Sequence, residues 1–170
     1  MANRSDVTFK APWGRTLLTI TTLVCGLLLG IVLLGIVTGP RDQLIWGLLM
    51  VVMPLAILAG SALLTVRRYT LTGKTLKVQR LLWVTIIPLV DLHSARVEPN
   101  AMQNSIRVFG NGGLFAFTGR FRNQKLGAYE AFATDLEQTV VLTFPNRKIV
   151  LSPDTPDKFV ESVLQRRADV

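Results

Sequence analysis

Leu63-Leu64-Thr65-Val66-Arg67-Arg68-Tyr69-Thr70-Leu71-Thr72 decides how this chain is built. Before Arg67 the sequence is largely apolar and carries no charge as far back as Leu44. After Arg68 it switches to the two-residue alternation of a half-buried strand. No Gly/Ser-rich or Pro-rich linker separates the two textures, so whatever holds the apolar segment also holds the β domain that follows.

Upstream, Leu44 to Val66 carries no charge, and neither does Thr16 to Thr38; each is 23 residues. A helix of that length reaches about 35 Å, enough for a bilayer core of about 30 Å with some tilt. Residues 16–38 and 44–66 are therefore expected to be two transmembrane helices. The first is longer than the h-region of a signal peptide, and no small-x-small cleavage site follows it. Residues 39–43, Gly39-Pro40-Arg41-Asp42-Gln43, form the short loop of a helical hairpin. Neither span holds an ionisable group, which argues against a proton or ion pathway. Cys25 reads as apolar filler. The pairs Gly26/Gly30 and Ala56/Gly60 would let helices pack closely and allow a homo-oligomer, and Pro54 is placed to kink the second helix.

Composition agrees. Hydrophobic residues are 49% of the 170 and charged residues only 18%, against about 25% charged in a soluble domain. The net charge of +8 suits an anionic membrane or nucleic acid, and its distribution favours the membrane. Lys10 and Arg15 precede the first span and Arg67 and Arg68 follow the second, whereas Arg41 stands alone in the loop. The positive-inside rule puts all four on the cytoplasmic side, at the membrane interface. Residues 1–15 then form a cytoplasmic tail, both termini are cytoplasmic, and the protein is multi-pass in a plasma membrane. Nucleic-acid binding would need exposed stacking aromatics, but Phe115 and Phe117 alternate as core strand residues do.

Downstream, residues 67–170 read as a mainly-β unit. Leu76-Lys77-Val78, Val84-Thr85-Ile86 and Ile106-Arg107-Val108-Phe109 alternate. Thr139–Phe144 and Lys148–Leu151 flank Pro145-Asn146-Arg147 as a hairpin, and seven or eight strands are expected in all. A C-terminal helix spans about 155–167, with Pro156 at its first position, Asp157 near its start and Arg166 and Arg167 near its end. Phe159, Val160, Val163 and Leu164 share a face that needs a sheet to cover, so the expected architecture is a β-barrel or sandwich capped by one helix.

Catalytic patterns fail when tested. Gly73-Lys74-Thr75 ends like a phosphate-binding loop, but the glycine required five residues earlier is Arg68. Gly110-Asn111-Gly112-Gly113 lacks the spacing of a dinucleotide fingerprint and reads, with Gly119, as structural turn glycines. With one histidine, His93, and one cysteine, neither a histidine-rich nor a cysteine-based metal site is expected, and no Ser/His/Asp set is signalled. No enzyme activity, metal or cofactor is expected.

The residues also carry a resemblance. Arg68-Tyr69-Thr70-Leu71-Thr72, Leu76-Lys77-Val78 and Ile87-Pro88-Leu89-Val90-Asp91-Leu92 resemble the opening of bacterial PH-like (pleckstrin-homology-like) domains. Gly110–Phe115, Thr118-Gly119, Phe121, Tyr129, Ala133-Thr134-Asp135 and Leu151-Ser152-Pro153-Asp154 are similar to a membrane-anchored subfamily of them. The resemblance covers about Arg67 to Arg167 and implies a seven-stranded PH-like barrel capped by one helix. It implies little about activity, because fold does not fix function. Lipid-binding PH domains hold headgroups with basic residues of their first hairpin; here Lys74, Lys77 and Arg80 stand there, with Lys77-Val78-Gln79-Arg80 one residue longer than the lysine-x-arginine core. A second basic set, Arg120, Arg122 and Lys125, is expected to cluster in a Gly119–Gly127 loop around Phe121. Three functions follow as expectations. The first is a scaffold or adaptor binding an unknown protein at the cytoplasmic face. The second is a module that binds anionic phospholipid through these two basic sets. The third is an accessory subunit of a membrane transporter or cell-envelope enzyme.

Overall fold

A computed structural model describes residues 6–40 and 43–168. Arg41 and Asp42 of the hairpin loop lie outside the described residues.

Two helices come first, α1 at Arg15–Thr38 and α2 at Leu44–Leu63. Both are long and apolar enough to cross a membrane. They pack antiparallel where glycine permits it. Gly35 lies against Met50 and Gly39 against Trp46, and any added Cβ would collide at either place. The Trp46 indole N–H donates to Gly35 O at 3.2 Å. The expected small-residue seam is elsewhere: a Cβ on Gly26, Gly30 or Gly60 would meet open space. Just before Pro54 the ladder widens into a π turn over Leu48–Val52, with Met53 N–H reaching back to Leu48 O.

The β unit is two sheets. Strands β1 (Val7–Lys10), β2 (Arg68–Thr72), β3 (Thr75–Gln79) and β4 (Val84–Pro88) form an antiparallel sheet in that order. The second sheet runs β5-β9-β10-β8-β7-β6, from β5 (Ser94–Val97), β6 (Ile106–Gly112), β7 (Phe117–Asn123), β8 (Gly127–Ala133), β9 (Val140–Thr143) and β10 (Lys148–Leu151). Among the described residues only β8 and β10 pair in parallel. Between the sheets lies one core, where Tyr69, Leu71, Leu76, Val78, Leu142, Ile149 and Leu151 meet Phe159 and Val163 of the C-terminal helix α3 (Pro156–Ala168). The outer face of the larger sheet has its own smaller core, in which Phe117, Phe121, Tyr129 and Val150 are covered by Ala101, Met102 and Leu17 of α1.

Several boundaries differ from expectation. The segment read as a tail supplies β1, whose Phe9 is buried and meets Phe159 edge-on at 5.1 Å. It pairs with β2 from Val7↔Leu71 to Lys10↔Arg68. Ten strands therefore stand among the described residues, nine of them within residues 67–167, where the resemblance implied seven. The first apolar stretch is not wholly free either: Leu17 and Thr21 are buried against the β unit. The second helix ends at Leu63 rather than at Val66, because Val66 is drawn into the core between the sheets.

The register gives the β unit two ends. Arg67, four residues beyond α2, donates its N–H to Gln79 O at 2.9 Å and accepts from Ala11 N–H at 3.2 Å. Thr134 closes the same end of the larger sheet, its hydroxyl on Pro12 O at 2.7 Å and its carbonyl on Gly14 N–H at 2.9 Å. This near end faces the helical hairpin. The turns Gly73-Lys74, Gln124–Leu126 and Pro145–Arg147 mark the far end, about 15–20 Å away by strand length.

Candidate functional site

The basic residues divide between these ends. Lys10 and Arg68 are exposed register partners at the near end, with Arg67 beside them and Arg15 opening α1. Four cations separated by up to 58 positions in sequence thus gather at one end of the hairpin, and none of them has an ion pair among the described residues.

The first-hairpin set is dispersed. Lys74 sits on the far turn and Lys77 in mid-strand opposite Thr70 and Ile86. Arg80 is at the near end, its guanidinium 5.5 Å from the Trp83 ring centroid and 5.0 Å from that of Phe132. There it plugs the mouth between the sheets, and burial pushes its pKa down from the usual arginine value. It packs as a stacked cation rather than standing free for a headgroup.

The second set does not converge either. Arg120 and Arg122 lie on strand β7, not in a loop, and project from the same face. Lys125 is on the far turn and turns away to Glu98, with Nζ 2.7 Å from the carboxylate; Arg96 Nε is 2.7 Å from its other oxygen. Burial works to raise the Glu98 pKa, but the hydrogen bond from Lys125 and the charge of Arg96 outweigh it and hold the carboxyl below its ordinary value. Lys125 is thus part of a structural ion triad. Nothing in the spacing of Arg96, Glu98 and Lys125 marked that triad in the sequence.

The glycine stretch is also redistributed. Strand β6 continues through Gly110 to Gly112, and the turn falls at Gly113–Ala116. Asn111 builds that turn: its Oδ1 accepts from Gly113 N–H at 3.2 Å and Leu114 N–H at 3.0 Å. Gly110 and Gly119 face one another inside the ladder at φ 112° and 128°, where a Cβ on either would strike the opposite backbone. The turn itself rests on α1. Thr21 Oγ1 donates to Gly113 O at 3.2 Å and accepts from Phe115 N–H at 3.1 Å, and Phe115 meets Trp13 edge-on.

One polar knot ties the near end together. The fully buried Tyr69 hydroxyl donates to Phe132 O at 2.6 Å and accepts from Ser152 N–H at 3.2 Å. Burial pushes its pKa up to about 12. Ser152 Oγ in turn accepts from Thr134 N–H at 2.8 Å and Asp135 N–H at 3.1 Å. These bonds leave Tyr69 a structural pin with no route to solvent.

What remains open is an edge. Strand β6 is the last of its sheet, and Ile106, Val108 and Phe109 are 74%, 66% and 76% exposed. The alternation of Ile106–Phe109 had marked a strand, but not that nothing would cover it. Ile106 is opposite Arg122 and Phe109 opposite Arg120, with a bulge between Arg107 and Phe109. Beside the start of β6, Asn104, Ile106, Arg122, Gln124 and Lys125 border an open groove of about 950 Å³. The chemistry of this surface is recognition by backbone hydrogen bonds, apolar contact and positive charge.

No curated protein and no solved structure matches the chain. Residues 67–167 match a family described as the bacterial PH domain. That match covers more than half of the chain and takes in strands β2 to β10 with nearly all of the closing helix, so the protein belongs to the bacterial PH domain family.

Proposed function

We propose that this protein is a membrane-anchored adaptor with no catalysis of its own, which holds a partner protein at the cytoplasmic face of a bacterial inner membrane. In this reading α1 and α2 cross the bilayer, and Lys10, Arg15, Arg67 and Arg68 mark the cytoplasmic side. The far end of the β unit then points into the cytoplasm.

The observation that carries the reading is the free edge of β6. A bulge and Arg107 blunt it, yet three apolar side chains stay in solvent and a row of backbone groups is unpaired. Such an edge accepts an extended segment as an added strand, with main-chain hydrogen bonds for affinity and side chains for selectivity. Arg120 and Arg122 on the same surface favour an acidic segment. The engagement of Lys125 by Glu98, and the distance of Arg122 from the helices, favour a protein over a lipid headgroup as what these residues meet.

The test is a photo-crosslinking amino acid at position 109 in intact cells, with one at the exposed Lys158 of α3 as control. A discrete adduct at 109 alone, removed by I106D together with V108D, supports the assignment. An adduct of twice the chain mass would make the partner a second copy. Crosslinking at 158 but not at 109 refutes it.

A further inference from the structure

The near end carries an apolar surface that the adaptor reading leaves unused. Strands β3 and β4 are joined by Arg80-Leu81-Leu82-Trp83, closed by Arg80 N–H on Trp83 O at 3.0 Å. Leu82 is 71% exposed, and Leu81, Trp83 and Val84 are also exposed. A leucine pair and a tryptophan at the tip of a tight loop need a reason to face out.

Register gives the loop's place. Gln79 pairs with Arg68 and with Val84, so the loop emerges beside the residue that begins β2. Arg67 N–H is bonded to Gln79 O, and α2 ends four residues earlier, at Leu63. Beyond Gln79 the loop therefore extends toward the level at which α2 ends. The other helix agrees on that level. Gly35 packs on Met50; stepping back to Thr21 on α1 and forward to Leu63 on α2 covers about 20 Å in each case. Thr21 is where the β6–β7 turn touches α1.

Charge gives the partner. Lys10 and Arg68 are directly opposite across β1 and β2, and the same row continues through Gln79 to Val84. Like charges so placed repel, and neither has an ion pair among the described residues. An anionic surface along this row would relieve the repulsion, with the apolar loop entering just beyond it. Tryptophan is the side chain that settles at such a boundary.

We infer that the β3–β4 loop is a membrane-inserting element: Leu82 and Trp83 enter the interfacial layer of an anionic leaflet while Lys10 and Arg68 lie on its headgroups. The contact fixes the orientation of the β unit, so that β6 is presented in one direction and not swept through many. The inference rests on the two-span reading, and its test separates the two.

The full chain with W13F and W46F keeps Trp83 as its single tryptophan. It is placed in nanodiscs of phosphatidylglycerol and phosphatidylcholine, with lipid brominated near the top of the acyl chain. Trp83 is expected to be blue-shifted and to lose most of its emission, with both effects reversed by L82D. Quenching is expected to fall in nanodiscs of phosphatidylcholine alone; equal quenching in both would remove Lys10 and Arg68 from the contact. A second variant, W13F, W46F, W83F and I57W, reports on the middle of α2 with deeply brominated lipid. Quenching at 57 without quenching at 83 overturns the inference and leaves the spans standing. No quenching at either position overturns both.

Discussion

Cutting the chain at the start of the family match should leave a damaged domain. Residues 67–167 lack β1, and with it Phe9, which is 6% exposed and packs on Phe159 in the main core. Removing a buried phenylalanine side chain costs about 3–5 kcal/mol. A domain of this size typically has about 5–15 kcal/mol in total. The hydrogen bonds lost with this segment are the β1–β2 ladder, Asp154 N–H to Lys10 O, the Thr134 hydroxyl to Pro12 O and Gly14 N–H to Thr134 O; their groups return to water and add less. The fragment 67–170 is therefore expected to unfold at markedly lower urea than a fusion in which residues 6–14 precede Arg67 through a flexible linker. Ala11 N–H is bonded to Arg67 O, so about six Gly/Ser residues suffice to join them. F9A in the fusion should return most of the loss. Equal urea midpoints for fragment and fusion would refute the reasoning, since β1 would then add nothing to the core.

Two further predictions concern buried groups. Y69F removes a hydroxyl bonded at both ends and should cost about 1–3 kcal/mol in urea unfolding. It should also flatten the alkaline limb: the raised pKa means that stability is full below about pH 10 and falls as pH rises toward about 12, because only the unfolded chain ionises there. For Glu98 the sign is opposite. Its lowered pKa contributes stability that is full above the ordinary value of 4.5 and is lost as pH falls below it, so E98Q should show a shallower acid limb than wild type by the same assay.

Much of the architecture was legible because it rests on local signals. The two charge-free stretches, the Pro145–Arg147 hairpin and the Asp157…Arg166 helix each show within a short window. What was missed depends on distance along the chain. Val7-Thr8-Phe9-Lys10 alternates as a strand should, but four residues ahead of a long apolar helix give no hint of a partner beyond that helix. The near-end cations were legible as a group because the charge rule reads positions relative to spans. The Arg120–Lys125 set was not, since adjacency in sequence says nothing of Glu98 drawing Lys125 away. Likewise Gly110 was legible as a special backbone position but not as part of a ladder, because its constraint comes from Thr118 across the hairpin. An exposed edge has no sequence signature, and neither has the exposed apolar loop Leu81-Leu82-Trp83.

In the membrane-spanning reading proposed above, the pairing of β1 with β2 bears on biogenesis. Lys10 and Arg68 sit at the two mouths of the helical hairpin, with the whole of α1 and α2 between them. For a hairpin that crosses a bilayer, these strands can meet only when both helices have inserted and the chain has returned to its starting face. A chain with one helix inserted, or with the hairpin translocated in pieces, strands β1 on the wrong side and leaves the edge of β2 bare. Completion of the sheet is then sensitive to half-insertion: a molecule with one helix across the bilayer cannot pair β1 with β2, and it carries an open strand edge that quality-control proteases can recognise.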